Sequence, residues 1–404
     1  MRPVVVAVLL LTVACSANPK PARVSSTPTA SPGLRVPASP TPSPIASASP
    51  VASAKPASSR VLFAALEAHS TAAARPDTVV IGGLDGLARA QTTFTPISPP
   101  PIGCYGTALP TSAYVAAGEV FFADGSGVIR SLSVQGRVRT IATFQTSSQQ
   151  MLSFAVSPDG SQLLATVLTV PQMTSSGAAC TGSQQIYSGD FTLEVFSAPA
   201  GGNSKSLYHE NLPIGPSKQY PCTLELAGWD RVGPYGTHPA CLGPAGGAGH
   251  YFGGPVVRVN AATGQVLNQA ADPTSCLVQD IAFSGDFVCI PPGIGADVIV
   301  RRRDGSEIWR FVAQPNDGYN YAFLSPDERH VLAQGSGAEV LGNEGTDVKV
   351  VESQGDHVSF FGWLDASAVI GEGPNGNLSY VSLDSPATLV DLGFHGLFIA
   401  TVPA

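Results

Sequence analysis

The side chains best suited to chemistry gather in one stretch. Residues 230–254 read DRVGPYGTHPACLGPAGGAGHYFGG and place Tyr235, His238, Cys241, His250 and Tyr251 among eight glycines. Phenols and imidazoles in a glycine-rich excursion can line a pocket, because connections displayed on a rigid scaffold carry much of the function of folded proteins. Tyr235, His238, His250 and Tyr251 are therefore the candidate binding residues. The same composition also fits a disulfide-tied excursion with no ligand. Elsewhere the patterns of catalysis are missing. His69, His209, His238, His250, His330, His357 and His395 form no H-E-x-x-H pair. No G-x-S-x-G nucleophile turn and no G-x-x-x-x-G-K-[ST] phosphate loop occurs. On this reading no catalytic residue, metal or cofactor is assigned, and a binding role is favoured over an enzymatic one.

Cysteine is the other reactive residue. Beyond Cys15 there are six, Cys104, Cys180, Cys222, Cys241, Cys276 and Cys289. An even number suits three disulfides in an oxidising compartment. Spacing alone leaves fifteen pairings open; Cys276 with Cys289 is favoured, since they are nearest in sequence and flank an apparent hairpin. No C-x-x-C occurs, so the spacing of a zinc site is not met. Asp124-Gly125, Asp304-Gly305 and Asp317-Gly318 could supply calcium ligands, but Asp-Gly also supplies the positive φ of a tight hairpin turn, which is the reading adopted. Arg301-Arg302-Arg303 could recognise a carboxylate. On an alternating strand only two of the three share a face, so a solvated edge fits better.

These groups need elements to hold them, and the elements announce themselves by repetition. LSFAVSPDGSQLLAT (152–166) and YNYAFLSPDERHVLA (319–333) are each an apolar strand, a tight turn and a second apolar strand. Shorter versions begin at 224 (LELAGWD), 280 (DIAFSGDFVCI) and 358. Pro158 and Pro326 preset φ for the turn, and Asp159 and Asp327 can bond the backbone just beyond it. Each phrase is followed by a more alternating hairpin, such as PVVRVNAATGQVLNQ (255–269) and NLSYVSLDSPATLVDL (377–392). Continuous apolar strands suit burial on both faces; alternation suits one packed and one wet face. Four antiparallel strands per unit make a propeller blade. The fold class is all-β: a β-propeller over 61–404 of four-stranded antiparallel blades. Six units are complete, with insertions near 171–189 and 230–254. Residues 77–97 and 396–402 are expected to share a seventh blade, six or eight being the alternatives. Trp229 and Trp363 hold matching places and read as core.

The SPDG and SPDE turns resemble the repeats of TolB-like and WD-repeat-like bacterial propellers across most of 113–404. The resemblance implies blade geometry and no particular chemistry. Val259-Asn260-Ala261-Ala262-Thr263-Gly264 and Asp304-Gly305 before Trp309 are similar to outer strands of pyrroloquinoline-quinone-type propellers. Leu267 stands where those have a docking Trp, so their cofactor is not carried over.

The first sixty residues give an address. Arg2 precedes the ten-residue apolar run Val4–Val13, half the length of a membrane-spanning helix. Leu11-Thr12-Val13-Ala14-Cys15 resembles the lipobox of bacterial lipoproteins, with Thr12 where Leu is preferred. The resemblance implies that 1–14 is a removed signal peptide. It further implies that Cys15 is acylated and that the chain meets the membrane through its N-terminal lipid on the extracytoplasmic side of the cell envelope. Residues 16–60 hold 10 Pro, 11 Ser, 9 Ala and 3 Thr, with neither acid nor aromatic. Such a segment cannot bury enough apolar surface to offset its ordering entropy and reads as a tether. All 29 acids lie beyond residue 60, against 15 Lys+Arg, a formal −14 that argues against nucleic acid. The functional expectation is a membrane-anchored binding or scaffold module for an envelope protein or small ligand. An envelope-associated hydrolase and a small-ligand sensor are the alternatives.

Overall fold

The computed structural model describes residues 61–68, 76–96, 113–172, 187–213, 224–237, 256–269, 276–291, 297–313, 318–335, 337–342, 347–350 and 358–403. They form seven four-stranded antiparallel sheets, the blades of a β-propeller. Blade 1 takes three strands from the N-terminal side, β1 (Leu62–Glu67), β2 (Asp77–Gly83) and β3 (Ala88–Phe94). Blade 2 is β4 (Ala113–Ala116), β5 (Glu119–Ala123), β6 (Val128–Ser133) and β7 (Val138–Thr143). Blade 3 is β8 (Gln150–Val156), β9 (Gln162–Thr169), β10 (Phe191–Pro199) and β11 (Lys205–Leu212). Blade 4 is β12 (Glu225–Trp229), β13 (Pro234–Thr237), β14 (Val256–Val259) and β15 (Val266–Gln269). Blade 5 is β16 (Leu277–Ile281), β17 (Phe287–Ile290), β18 (Val298–Arg301) and β19 (Glu307–Phe311). Blade 6 is β20 (Tyr321–Leu324), β21 (His330–Gln334), β22 (Ala338–Gly342) and β23 (Asp347–Val350). Blade 7 is β24 (Ser359–Asp365), β25 (Ala368–Glu372), β26 (Asn377–Ser382) and β27 (Leu389–His395). The last strand, β28 (Leu397–Val402), returns to blade 1 in the order β28-β1-β2-β3.

The expected seven blades are present. The closing blade differs in detail from the expectation. Residues 77–97 and 396–402 do share it, but β1 lies between them, with Leu62 opposite Val402 and Leu66 opposite Leu397. LFAALE is a short apolar run with no turn signal to mark it as a separate strand. It is needed because a blade built only from β2, β3 and β28 would lack its second strand. All the described strands, and the pairing that closes the ring, lie between Leu62 and Val402.

Side chains alternate direction along each strand, so the continuously apolar inner strands make each sheet apolar on both faces. In β17, Phe287 and Cys289 face blade 4, while Val288 and Ile290 face blade 6. In β1, Phe63 and Ala65 face blade 7, while Ala64 and Leu66 face blade 2. Each of seven apolar clusters thus lies between consecutive blades. Burying a side chain such as Phe63 contributes about 1.5–3 kcal/mol.

The SPDG turn works as its residues suggest. Ser157 Oγ donates to Asp159 Oδ1 at 2.6 Å, Ser161 N donates to the same oxygen at 3.0 Å, and Gly160 takes φ +71°. These bonds hold the Asp159 carboxyl down at a pKa of about 2. Blade 6 repeats the turn with Ser325 and Asp327, and Glu328 at φ +60° stands in the place of the glycine.

Strand direction sorts the connections into two ends. Counting strands outward from the axis, the first-to-second and third-to-fourth turns lie at one end of the ring, and the remaining connections at the other. The first end has short turns that touch one another. Ala117 N donates to Pro158 O at 3.2 Å, Arg231 N to Phe283 O at 2.9 Å, and Ser284 Oγ to Glu328 Oε2 at 2.9 Å. Leu62 pairs with both Gly83 and Val402, so the chain enters the ring at this short-turn end. The longer connections, among them 97–112, 170–190, 213–224 and 238–255, leave and rejoin the blades at the opposite end.

Candidate functional site

The innermost strands leave one backbone edge unpaired by their own blades, and buried N–H and C=O groups need partners. Side chains reaching from neighbouring blades supply them. Ser153 Oγ accepts from Leu226 N at 2.8 Å, and Gln334 Oε1 accepts from Phe360 N at 2.8 Å. Trp363 Nε1 donates to Phe323 O at 2.9 Å. Asp280 Oδ2 accepts from Leu324 N of blade 6 at 2.9 Å, and its Oδ1 accepts from Ile281 N at 2.8 Å.

Around blade 4 these braces condense into a buried polar knot. Tyr114, from blade 2, sends its hydroxyl to blade 4, where it accepts from Trp229 N at 2.7 Å. Asp230 and Arg258 form an ion pair of 2.6 Å, both nearly buried. Asp230 Oδ1 also accepts from Val232 N at 2.7 Å and from Gly233 N at 3.1 Å. The Arg258 guanidinium lies 5.4 Å from the Tyr235 ring centroid, a cation–π contact. Tyr235 crosses over Gly228, where a Cβ would come within 2.3 Å of the phenol oxygen, so only glycine fits beneath it. Gly228 follows a bulge in β12; β16 and β24 bulge at the matching place, where Asp280 and Gly362 stand.

Burial sets the electrostatics. It pushes the Tyr114 hydroxyl up to about 12, helped by the Asp230 charge. The Tyr235 phenol is raised well above its ordinary value by burial and by the nearby Tyr114, Asp280 and Asp230. Burial also lifts Asp280 to about 6, against the two N–H bonds that favour its charge. Glu225 is lifted to about 7 by burial alone. Clusters of perturbed groups mark functional candidates, although braces between structural elements perturb pKa values as well. Tyr114 and Asp280 each join two blades, and Asp230 clamps a turn, so these groups act as braces.

The sequence-predicted residues fall into two groups. Tyr235 belongs to β13 and is buried, not displayed in a loop. The excursion expected over 230–254 therefore narrows to 238–255, because 230–233 is a tight turn and 234–237 a strand. The physical reason is pairing: Tyr235 lies opposite Gly228 on one side and Arg258 on the other. His238, His250 and Tyr251 lie outside the described residues, as do Cys15, Cys104, Cys180, Cys222 and Cys241. Cys276 and Cys289 are joined, their sulfurs 2.09 Å apart, across the β16–β17 hairpin. Asp124 and Asp304 serve their own turns: Asp124 Oδ1 accepts from Ser126 N and Val128 N, and Asp304 Oδ1 from Ser306 N. Asp317 lies outside the described residues. Arg301 turns inward and donates to Gly305 O at 2.8 Å, whereas Arg302 and Arg303 are exposed. Trp363 is core, and Trp229 packs against the cluster between blades 3 and 4.

Sequence reasoning passed over Tyr114, Glu225, Arg258 and Asp280. A usable signal existed for two of them: an acid inside an otherwise apolar inner strand, as in LELAGW and LVQDIAF. Among the described residues no three His, Cys, Asp or Glu side chains are grouped to hold a metal ion.

No family model and no curated protein matches the chain. Solved structures do resemble it. One is an oligogalacturonate lyase in complex with manganese, 12% identical, with 78% of this chain and 82% of that one covered at a TM-score of 0.46. Another is dipeptidyl peptidase 4 of Porphyromonas gingivalis, 10% identical, with 82% of this chain and 50% of that one covered at a TM-score of 0.47. The propeller assignment rests on the strand order of the chain itself.

Proposed function

We propose that the chain is a lipid-anchored extracytoplasmic propeller that acts as a binding or scaffold module for an envelope partner or ligand. The observation that carries the binding role is the asymmetry of the ring. A closed, cross-braced set of blades keeps short turns at one end and gathers its longer connections, 238–255 included, at the other. A rigid frame with variable connections on one face is the arrangement on which recognition is built. The anchoring is supported by Leu11–Cys15 and the Pro/Ser/Ala-rich 16–60.

The experiment is cross-linking in intact cells of the source, followed by identification of what co-purifies. A reproducible envelope partner that is lost when 239–254 is replaced by a short glycine–serine link supports the reading. Recovery of the chain alone, or of a partner unaffected by the replacement, overturns that face as the binding face. Replacement must begin after Thr237, because removing 234–237 would remove β13.

A further inference from the structure

We infer that the short-turn face of blades 4–6 rests on a phospholipid bilayer, holding the long-connection face outward. The inference rests on the anchoring reading above and adds an orientation to it.

Three observations converge on this face. The first is where the chain enters: Leu62 begins β1 level with Val402 and with the β2–β3 turn, so whatever precedes residue 61 joins the ring here. The second is apolar exposure. Phe283 is 59% exposed and Val232 47%, and the two turns are joined through the Arg231 N to Phe283 O bond. Leu87, Val138, Leu267 and Ile308 stand exposed in or beside other turns of the same end. Large apolar side chains presented together by tied-down turns mark a contact surface.

The third is charge. Arg231, Arg302, Arg303 and Arg329 are exposed on these turns of an otherwise acidic domain. The acids of the same turns are held by hydrogen bonds within a turn or to its neighbour. Asp286 accepts from Arg303 N, Asp304 from Ser306 N and Oγ, Asp327 from Ser325 Oγ and Arg329 N, and Glu328 from Ser284 Oγ. Exposed guanidiniums beside exposed apolar side chains suit phosphate headgroups above a few inserted apolar groups.

Weak affinity suffices. On the anchoring reading, 45 residues separate the lipid from the ring; a Pro/Ser/Ala-rich segment of that length spans about 40 Å if it is a coil, which puts the domain before the bilayer at an effective concentration on the order of millimolar.

The test uses residues 61–404, which contain every described strand and the ring-closing pair, held by an N-terminal histidine tag on vesicles containing nickel-chelating lipid. The vesicles are phosphatidylglycerol and brominated phosphatidylcholine, and bromine quenching of an introduced indole is read against the parent chain. Phe283→Trp should be quenched; Val312→Trp, 63% exposed at the opposite end, should not. Quenching of neither, or of Val312→Trp in place of Phe283→Trp, overturns the inference. Adding R231E, R302E and R303E to Phe283→Trp should abolish its quenching at an unchanged Tm. Quenching that persists overturns the role of the arginines. Since the tag supplies the anchor, these outcomes do not depend on Cys15. The mass of the native N-terminus tests lipidation separately, and an unmodified Cys15 would overturn only the anchoring reading.

Discussion

The Tyr114 hydroxyl in blade 2 accepts a 2.7 Å hydrogen bond from the backbone N–H of Trp229 in blade 4. The bond reaches past blade 3 and ties two inner strands 115 residues apart. Removing the hydroxyl leaves a buried donor without its partner, which costs about 1–3 kcal/mol. Tyr114→Phe should therefore lower stability by that amount in urea unfolding, with an unchanged m-value. A smaller effect would mean that water takes the place of the hydroxyl.

The Asp230–Arg258 pair makes a sharper prediction. Breaking a buried ion pair from one side costs about 3–5 kcal/mol, because the remaining charge stays buried. Arg258→Met should destabilise strongly by that mechanism. Asp230→Asn combined with Arg258→Met should cost less than the two single losses added together. A double-mutant cycle that sums without coupling would show that the 2.6 Å contact contributes nothing specific.

Glu225 gives a pH dependence with a definite sign. Its folded pKa, about 7, lies above the ordinary 4.5, so the fold favours the protonated form. That preference is fully present below about pH 4.5 and is lost as pH rises through about 7. Asp280, lifted to about 6, acts in the same direction. Glu225→Gln should be more stable than the parent at pH 8 by on the order of 1–3 kcal/mol, relative to their difference at pH 4. Melting curves at the two pH values that shift in parallel would show that Glu225 is hydrated in the fold.

Cys276 and Cys289 close a loop with a sequence separation of 13. Cross-links of that size constrain the unfolded chain by about 3 kcal/mol. Both sulfurs belong to residues buried between blades 4 and 5, so Cys276→Ala with Cys289→Ala also removes packing. Reduction of the native chain under mild denaturation should lower Tm, and the double alanine variant should lower it at least as far. Equal melting of oxidised and reduced protein would contradict this.

The amino-acid sequence by itself determined the architecture. Repeats of apolar strand, SPDG-type turn and alternating hairpin set the blades. Strand alternation and turn chemistry are local properties, readable wherever Pro158, Asp159 and Gly160 stand together. The Cys276–Cys289 hairpin was legible for the same reason, being short in sequence. Tertiary structure alone decided what happens along the axis. Tyr235 looked like a loop residue because glycines surround it; pairing with Gly228 and Arg258 drew it into the sheet. β1 could be placed only by its partner β28 at the far end of the chain. Tyr114 meets Trp229 and Asp280 meets Leu324 because closing the ring brings inner strands of separate blades to one axis, whereas Asp230 and Arg258 meet within blade 4. Local pattern fixes what each strand is; only closure of the whole ring fixes which buried polar groups face one another, because an unpaired inner edge takes its partners from whichever blade the ring sets beside it.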